Sequence, residues 1–354
     1  MEDAVLLTPD NHPDKPSYLK NLGQSLSTRF KKFNDLSDLY AAVSTYYAAA
    51  MSNIGSSYTR FQAAERWMQL ALQYLPCQNM ESSRVCMSLV PQLTWLGSSI
   101  RDRHHRVTHA GQIARDAASI AIKANKCDTA VEWLEQGRSV VWSQMMQLRS
   151  PLDELHQANP KLAESLQSLS TLLEGATSHS ILLDDTSQRP LQVDYHKLAH
   201  EREQLLKQIR RLPGFERFLL PKTLSQLLPA ANQGPTVMLN VSKLQCDALV
   251  LVPGVDHILH VPLDSLSFET ARAWHELFQL AINKDSISIA DFHSRLKALR
   301  PPDRPDMVAS SESVLAYILE ELWSHVVHPI LNALAITVSF SFSCFNSNSF
   351  DRGQ

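Results

Sequence analysis

Glycine is scarce, 10 among 354 residues, and it does not cluster. Neither GxGxxG nor GxxxxGK[ST] occurs. The chain therefore lacks the loops that cradle a dinucleotide or a nucleoside triphosphate. The five cysteines, Cys77, Cys86, Cys127, Cys246 and Cys344, lie far apart with no CxxC pair. The N-terminus is polar and proline-bearing (TPDNHPDKPS) where a secretory leader would be apolar. Together these features read as reduced thiols in a cytoplasmic protein. Excess charge is also missing. A net charge of −3, with 19% charged residues, argues against general binding to nucleic acid or to anionic membranes. HExxH is absent, and so is any His-Gly pair.

Helical periodicity fills the first part of the chain. In AVEWLEQGRSVVWSQMMQ, residues 130–147, the apolar positions Ala130, Trp133, Leu134, Gly137, Val140, Val141 and Met145 recur at three and four residues. Asp128 stands where an N-cap would, and the indoles Trp133 and Trp142 flank Gly137. Glycine inside a helix costs roughly 1 kcal/mol against alanine. Gly137 is therefore expected to admit a close-packed neighbour.

Upstream, Pro16 and Ser17 open a helix with Leu19, Leu22, Gly23, Leu26 and Phe30 on one side. Asn34-Asp35 breaks and caps. A second helix follows with Leu39, Ala42, Val43, Tyr46 and Ala50, then a third with Phe61, Ala64, Trp67 and Ala71. A polar break is expected at 78–83, before a fourth helix that carries Pro91, a kink or a boundary. Ala114, Ala117, Ala118, Ala121 and Ala124 make a smooth face on a fifth, and Asn125-Lys126-Cys127 turns it into the helix around Gly137. The order is one of helical hairpins, without a clean period of about 34 residues.

Residues 151–232 read as a helical connector. Asn159-Pro160 starts a helix lined by Leu162, Leu166, Leu169 and Leu173 and ended by Gly175; TSHSILLDDTSQRP is then loop. A second helix, 194–212, carries Leu198, Leu205, Ile209 and Leu212 and stops at Pro213-Gly214, giving an antiparallel pair. From Gly234-Pro235 the period becomes two. TVMLNVS, ALVLV and HILHVPL read as three strands, the last two a hairpin about Pro253-Gly254. Helices are predicted at 268–283 and 289–299, then a proline-rich loop. A last helix buries Val314, Leu315, Ile318, Leu322 and Val326 and kinks or restarts at Pro329.

Three strings carry a resemblance. EWLEQGRSVVWSQ (132–144) is similar to the last tetratricopeptide-like helix of proteins that join TPR arrays to a CHAT domain, a caspase-like peptidase module of fungal type. LKNLGQSLSTRF (19–30) places Leu-Gly as a TPR first helix does, and CDALVLVPGVDHILHVPL (246–263) resembles the opening strands of a CHAT domain. The resemblance covers residues 1–335. It implies TPR-like helical repeats at 1–150, the connector at 151–232 and the N-terminal part of a CHAT-like α/β domain at 233–335. Residues 336–354 form an unmatched Ser/Phe-rich tail, foreign to the family and too interrupted by serine to anchor in a membrane.

Full-length relatives are implied to be cysteine endopeptidases regulated by their TPR array. That chemistry needs a thiolate and an imidazole at neighbouring strand ends. In the family the histidine precedes a glycine, and this chain offers no such pair. Cys246 precedes Asp247 on an opening strand, Cys127 lies in an interhelical turn and Cys344 in the tail. The expectation is a module truncated before its catalytic region, with no catalytic, cofactor-binding or metal-binding residue. The histidine pairs His105/His109, His196/His200, His257/His260 and His325/His328 lack a placed third ligand and are read as polar surface. His257 and His260 are expected on opposite faces of one strand. The basic run RDRHHR (101–106) is read as a solvated helix start or loop. The fold class expected is mainly α, a TPR-like solenoid and connector followed by a partial α/β module. The function expected is protein–protein interaction through the solenoid, with no cofactor.

Overall fold

The fold is that of a computed structural model, which describes residues 2–93, 100–148, 152–182, 195–282 and 311–334. Side chains at 93, 100–106, 140–148, 174–182, 195–197, 199 and 200 fall outside that description. The expectations for Trp142, Val140, Val141, Met145, for residues 289–299 and for the tail 336–354 therefore lie outside it. The chain is mostly helical, with a small three-stranded antiparallel sheet. It forms two compact units, Met1–Met238 with Leu251–Ile258 and Leu239–Val250 with Leu259–Gln354.

The first unit is built of consecutive helices. They are α1 (Glu2–Leu7), α2 (Lys15–Phe33), α3 (Leu36–Met51), α4 (Ser57–Tyr74), α5 (Asn79–Leu93), α6 (Ile100–Lys123) and α7 (Cys127–Leu148). Local chemistry sets several of the boundaries. Pro16 sits in the first turn of α2, where its missing N–H is no loss. Asn34 ends α2 in the left-handed conformation (φ 56°), and Asp35 caps α3 by accepting from the Ser37 N–H at 2.9 Å. Each helix from α2 to α6 packs on its successor; α2 also reaches α4, and α5 reaches α7. Phe30, Leu39, Tyr46, Phe61, Trp67 and Met87 are buried between them.

Two glycines allow the closest approaches. A Cβ on Gly23 would lie 2.9 Å from the Tyr46 ring, and one on Gly137 would lie 2.2 Å from the Ala114 Cβ. Gly137 thus has the close neighbour its position called for, in the alanine face of α6.

Among α5 to α7, three boundaries differ from the sequence reading. The polar stretch 78–83 is not a break: α5 starts at Asn79, and Ser82 and Ser83 are buried in it. Ser82 bonds back to the Gln78 carbonyl at 2.9 Å, so its hydroxyl is satisfied inside the helix. Asp128 is in the first turn of α7, not at its N-cap, and Cys127 opens the helix instead of lying in the turn. Ala124 falls past the end of α6 and is exposed, so the smooth face ends at Ala121.

The connector folds within the same unit as α8 (Asp153–Ala158), α9 (Pro160–Leu182), α10 (Tyr195–Ile209) and the short α11 (Leu224–Leu227). Asn159 caps α9 through the Leu162 N–H at 3.2 Å. Leu155 of α8, Ala163 and Leu166 of α9 and Leu206 and Ile209 of α10 form the core of the connector. Gly175 does not end α9, which runs on through the predicted loop to Leu182. One glycine costs only about 1 kcal/mol, and a helix of good formers absorbs it. At the other end α10 stops at Ile209, before Leu212. There Arg210 turns its guanidinium to the Phe218 carbonyl, Nε donating at 2.9 Å, and ties down the following turns. The first N–H of α11, on Leu224, donates to Glu132 of α7 at 2.8 Å, which joins the connector to the helical array.

In the sheet, β1 (Thr236–Val241), β2 (Cys246–Leu251) and β3 (Leu259–Pro262) lie in that order, and β2 pairs antiparallel with β3 from Asp247↔Pro262 to Val250↔Leu259. Strand β2 is buried at every position, as its unbroken apolar run ALVL suggests. Gly254 takes φ 74° in the hairpin turn, a value that suits glycine. His257 stays in that turn, so it does not share a strand with His260.

Helix α12 (Phe268–Ile282) packs on α13 (Ser311–Leu322). The helix then widens into a π-turn over Trp323–Val327 and restarts as α14 (His328–Ala333), with Pro329 in its first turn. Proline has no N–H for the carbonyl four residues back and its ring crowds that group. The wider turn just upstream accommodates both. Val314, Ile318 and Val326 are buried as expected, whereas Leu315 and Leu322 are half-buried. No helix among the described residues is long and apolar enough to cross a membrane.

Candidate protein-binding face

Helix α3 is the unusual surface of the first unit. Its only charged residue, Asp38, is buried and takes a two-pronged ion pair from Arg29 of α2. That guanidinium holds the Asp38 carboxyl below its usual range by hydrogen bonding and charge. The inner face, Leu39, Ala42, Val43, Tyr46, Ala49 and Ala50, is buried as periodicity requires. The outer face carries no charge. It exposes Leu36 (57%), Tyr40 (56%), Tyr47 (45%) and Met51 (48%).

Exposed large side chains on a helix face without charge are what a contact surface presents. Tyrosine and methionine are also the side chains enriched at interfaces, where charge is depleted. Tyr47 is held in place: its ring meets the buried Trp67 edge-on, with centroids 5.2 Å apart. Trp67 in turn donates to Gln78 at 2.8 Å.

Two of the described cysteines are poor nucleophiles. Cys77 is exposed, Cys86 and Cys246 are buried, and Cys127 is half-buried. Burial pushes the Cys86 thiol well up, with the Glu65 charge adding to it. The Cys246 thiol is raised by burial too, and its Sγ lies 3.9 Å from the Ser242 carbonyl. Only a thiolate is a nucleophile, and both environments oppose it.

Three histidines depart from the surface reading because each has a carboxylate to offset its burial. His260 Nε2 lies 2.7 Å from Asp247 Oδ1, and Gln245 donates to the other carboxylate oxygen at 2.9 Å. Asp247 is buried on β2. An aspartate behind an imidazole is also the orienting half of a catalytic triad. Here, however, Cys246 alternates to the opposite face of the strand. His325 Nδ1 lies 3.0 Å from the Glu321 carbonyl oxygen and 3.6 Å from its carboxylate, beside Trp274. His109 Nε2 lies 3.0 Å from Glu65 of α4 and packs edge-on against Phe61. His257 and His328 are exposed, as read; the side chains of His105, His196 and His200 lie outside the description. Among the described residues no group of three or more metal-ligating side chains converges. The RDRHHR run falls in the opening turns of α6, with its side chains outside the description.

The His109–Glu65 pair links α4 to α6 and makes stability depend on pH. The hydrogen bond to Glu65 raises the His109 pKa above its usual 6.5, against the opposing effect of burial. The pair's contribution is therefore fully present below about 6.5, the unfolded value, and is lost as pH rises through the higher folded value. Urea unfolding between mildly acidic and mildly basic pH should show the native chain losing stability relative to His109→Gln. Parallel curves for the two proteins would refute the assignment.

Compared with protein-family models, curated proteins and solved structures, the chain matches none.

Proposed function

We propose that the chain is a cytoplasmic protein–protein interaction scaffold, a TPR-like solenoid and connector that carry part of a CHAT-type module without peptidase chemistry. The observation that carries this reading is the outer face of α3, which is uncharged, exposes Leu36, Tyr40, Tyr47 and Met51, and rests on the Tyr47–Trp67 contact. Two features support the repeat character. Each helix packs on the next and on the one after at α2/α4 and α5/α7, and a glycine sits at a close approach in two helix pairs. The buried, protonated thiols Cys86 and Cys246 support the absence of peptidase chemistry.

A photo-cross-linking benzoylphenylalanine placed at Ser44, in the middle of the exposed α3 face, tests the reading in cells that make the chain. One discrete protein adduct is expected from position 44 and not from the exposed, charged position Glu81 on α5. No adduct from 44, or equal adducts from both positions, would overturn it.

A further inference from the structure

We propose that α1 is a strap, held shut against α2 by the Lys15 ammonium, which opens as one unit and uncovers Leu22. Two observations set α1 apart from the helices that follow. It buries none of its side chains, and Leu6 and Leu7 are 80% and 84% exposed. It also fits α2 loosely. Glu2 and Asp3 of α1 and Leu22, Ser25, Leu26 and Arg29 of α2 line a cleft of about 400 Å³. A helix of six residues is not stable in water by itself. Burial of apolar surface contributes little here, so the hold must be polar.

That hold is at the C-terminal end of α1. The last carbonyls of a helix have no partner within it. Lys15, the first residue of α2, turns its side chain back and donates from Nζ to the carbonyls of Val5 and Thr8. Among the described residues, no other side chain from α2 onward bonds to the backbone of residues 2–8. The Lys15 side chain is only 13% exposed, so water competes weakly for these bonds. The other charges near the strap add less. Asp10, 3.4 Å from Nζ, is fully exposed. Glu2 attracts Arg29 weakly beside Asp38, which already takes that guanidinium. From α2 to α7 the helices share a core of large buried side chains, and α1 contributes nothing to it. A segment with little burial and one polar tie opens ahead of the rest. Its departure bares Leu22, which is half-buried beside it.

The test reads backbone and side chain together in the full chain. Millisecond pulses of hydrogen exchange follow the α1 amides, and hydroxyl-radical footprinting follows oxidation of Leu22. In the wild type the α1 amides should already exchange faster than those of α3–α7; equal protection would overturn α1 as a separate unit. Lys15→Met keeps the stem of the side chain and removes the donors. Hydrogen bonds from a charged group are the stronger kind, so α1 exchange should rise by about tenfold or more. Leu22 oxidation should rise with it, and α3–α7 should keep their wild-type protection. Asp10→Asn should behave as the wild type. Unchanged α1 exchange in Lys15→Met would overturn the proposal, as would a loss of protection that spreads through α3–α7. Faster α1 exchange with unchanged Leu22 oxidation would show that nothing is uncovered, and the strap would fall. If Asp10→Asn matched Lys15→Met, the surface ion pair would be the hold, and the carbonyl latch would fall.

Discussion

Replacing Gly137 by leucine is expected to lower the melting temperature by several degrees. Even the single methyl of an alanine at this position would lie 2.2 Å from the Ala114 Cβ, far inside van der Waals contact. Neither atom can swing away, because both are fixed to helical backbone. The helices α6 and α7 must separate, and leucine adds further atoms to the same gap. Overpacking of this kind costs typically 1–3 kcal/mol. The better helix propensity of a non-glycine residue returns less than about 1 kcal/mol. At about 2–4 °C per kcal/mol for a unit of this size, the melting curve resolves the loss. Gly137→Ala should show the same sign with a smaller size. Ala114→Gly in the Gly137→Ala background should recover most of it, since the clashing methyl is gone. An unchanged melting temperature for Gly137→Leu would mean that the α6–α7 contact is loose.

The same pair shows what could be read in advance. Gly137 lies in an apolar stripe of helical period, and a residue that weakens its own helix is tolerated there for what it lets approach. Asn34-Asp35 was legible for a similar reason: ending one helix and capping the next is chemistry of neighbouring residues. The strands at 236–262 announced themselves by the change of period. Boundaries that depend on tertiary support were harder. Ser82 and Ser83 look like loop residues, yet both are buried in α5 because their surroundings favour the helix and, for Ser82, a backbone carbonyl receives the hydroxyl. Gly175 looks like a stop, yet α9 continues past it.

The outer face of α3 was in the sequence but in a different form from the one sought. The periodic pattern marks the buried side of the helix and says nothing of the other side. The clue was an absence, one charge in sixteen residues, and that charge turns out to be buried. Pairings across distance were not legible at all. His109 meets Glu65 over a separation of 44 residues, and His260 meets Asp247 over 13. Such meetings depend on helix packing and strand register, which no local spacing specifies.

His260→Ala is expected to destabilise the sheet strongly. It removes the imidazole at 2.7 Å from a carboxylate that is only 2% exposed and leaves Gln245 as the remaining hydrogen-bond donor shown to it. Breaking a buried pair at one end costs about 3–5 kcal/mol, because the surviving charge is left in a poor solvent. The His260 side chain is itself 30% exposed, so water can partly take its place, and the low end, about 3 kcal/mol, is the expected loss. The pairing Leu249↔His260 places this side chain within the hairpin, so the loss should show as faster amide exchange along β2 and β3. Asp247→Asn separates charge from shape. It keeps one oxygen to accept from Gln245 and removes the buried charge, so in the His260→Ala background it should recover a large part of the stability. Replacing both Asp247 and His260 by leucine should be milder than His260→Ala alone, since no charge is then stranded. Equal stability of the native chain and His260→Ala in chemical unfolding would mean that the Asp247 carboxylate is solvated after all, and that the hairpin does not depend on the pair.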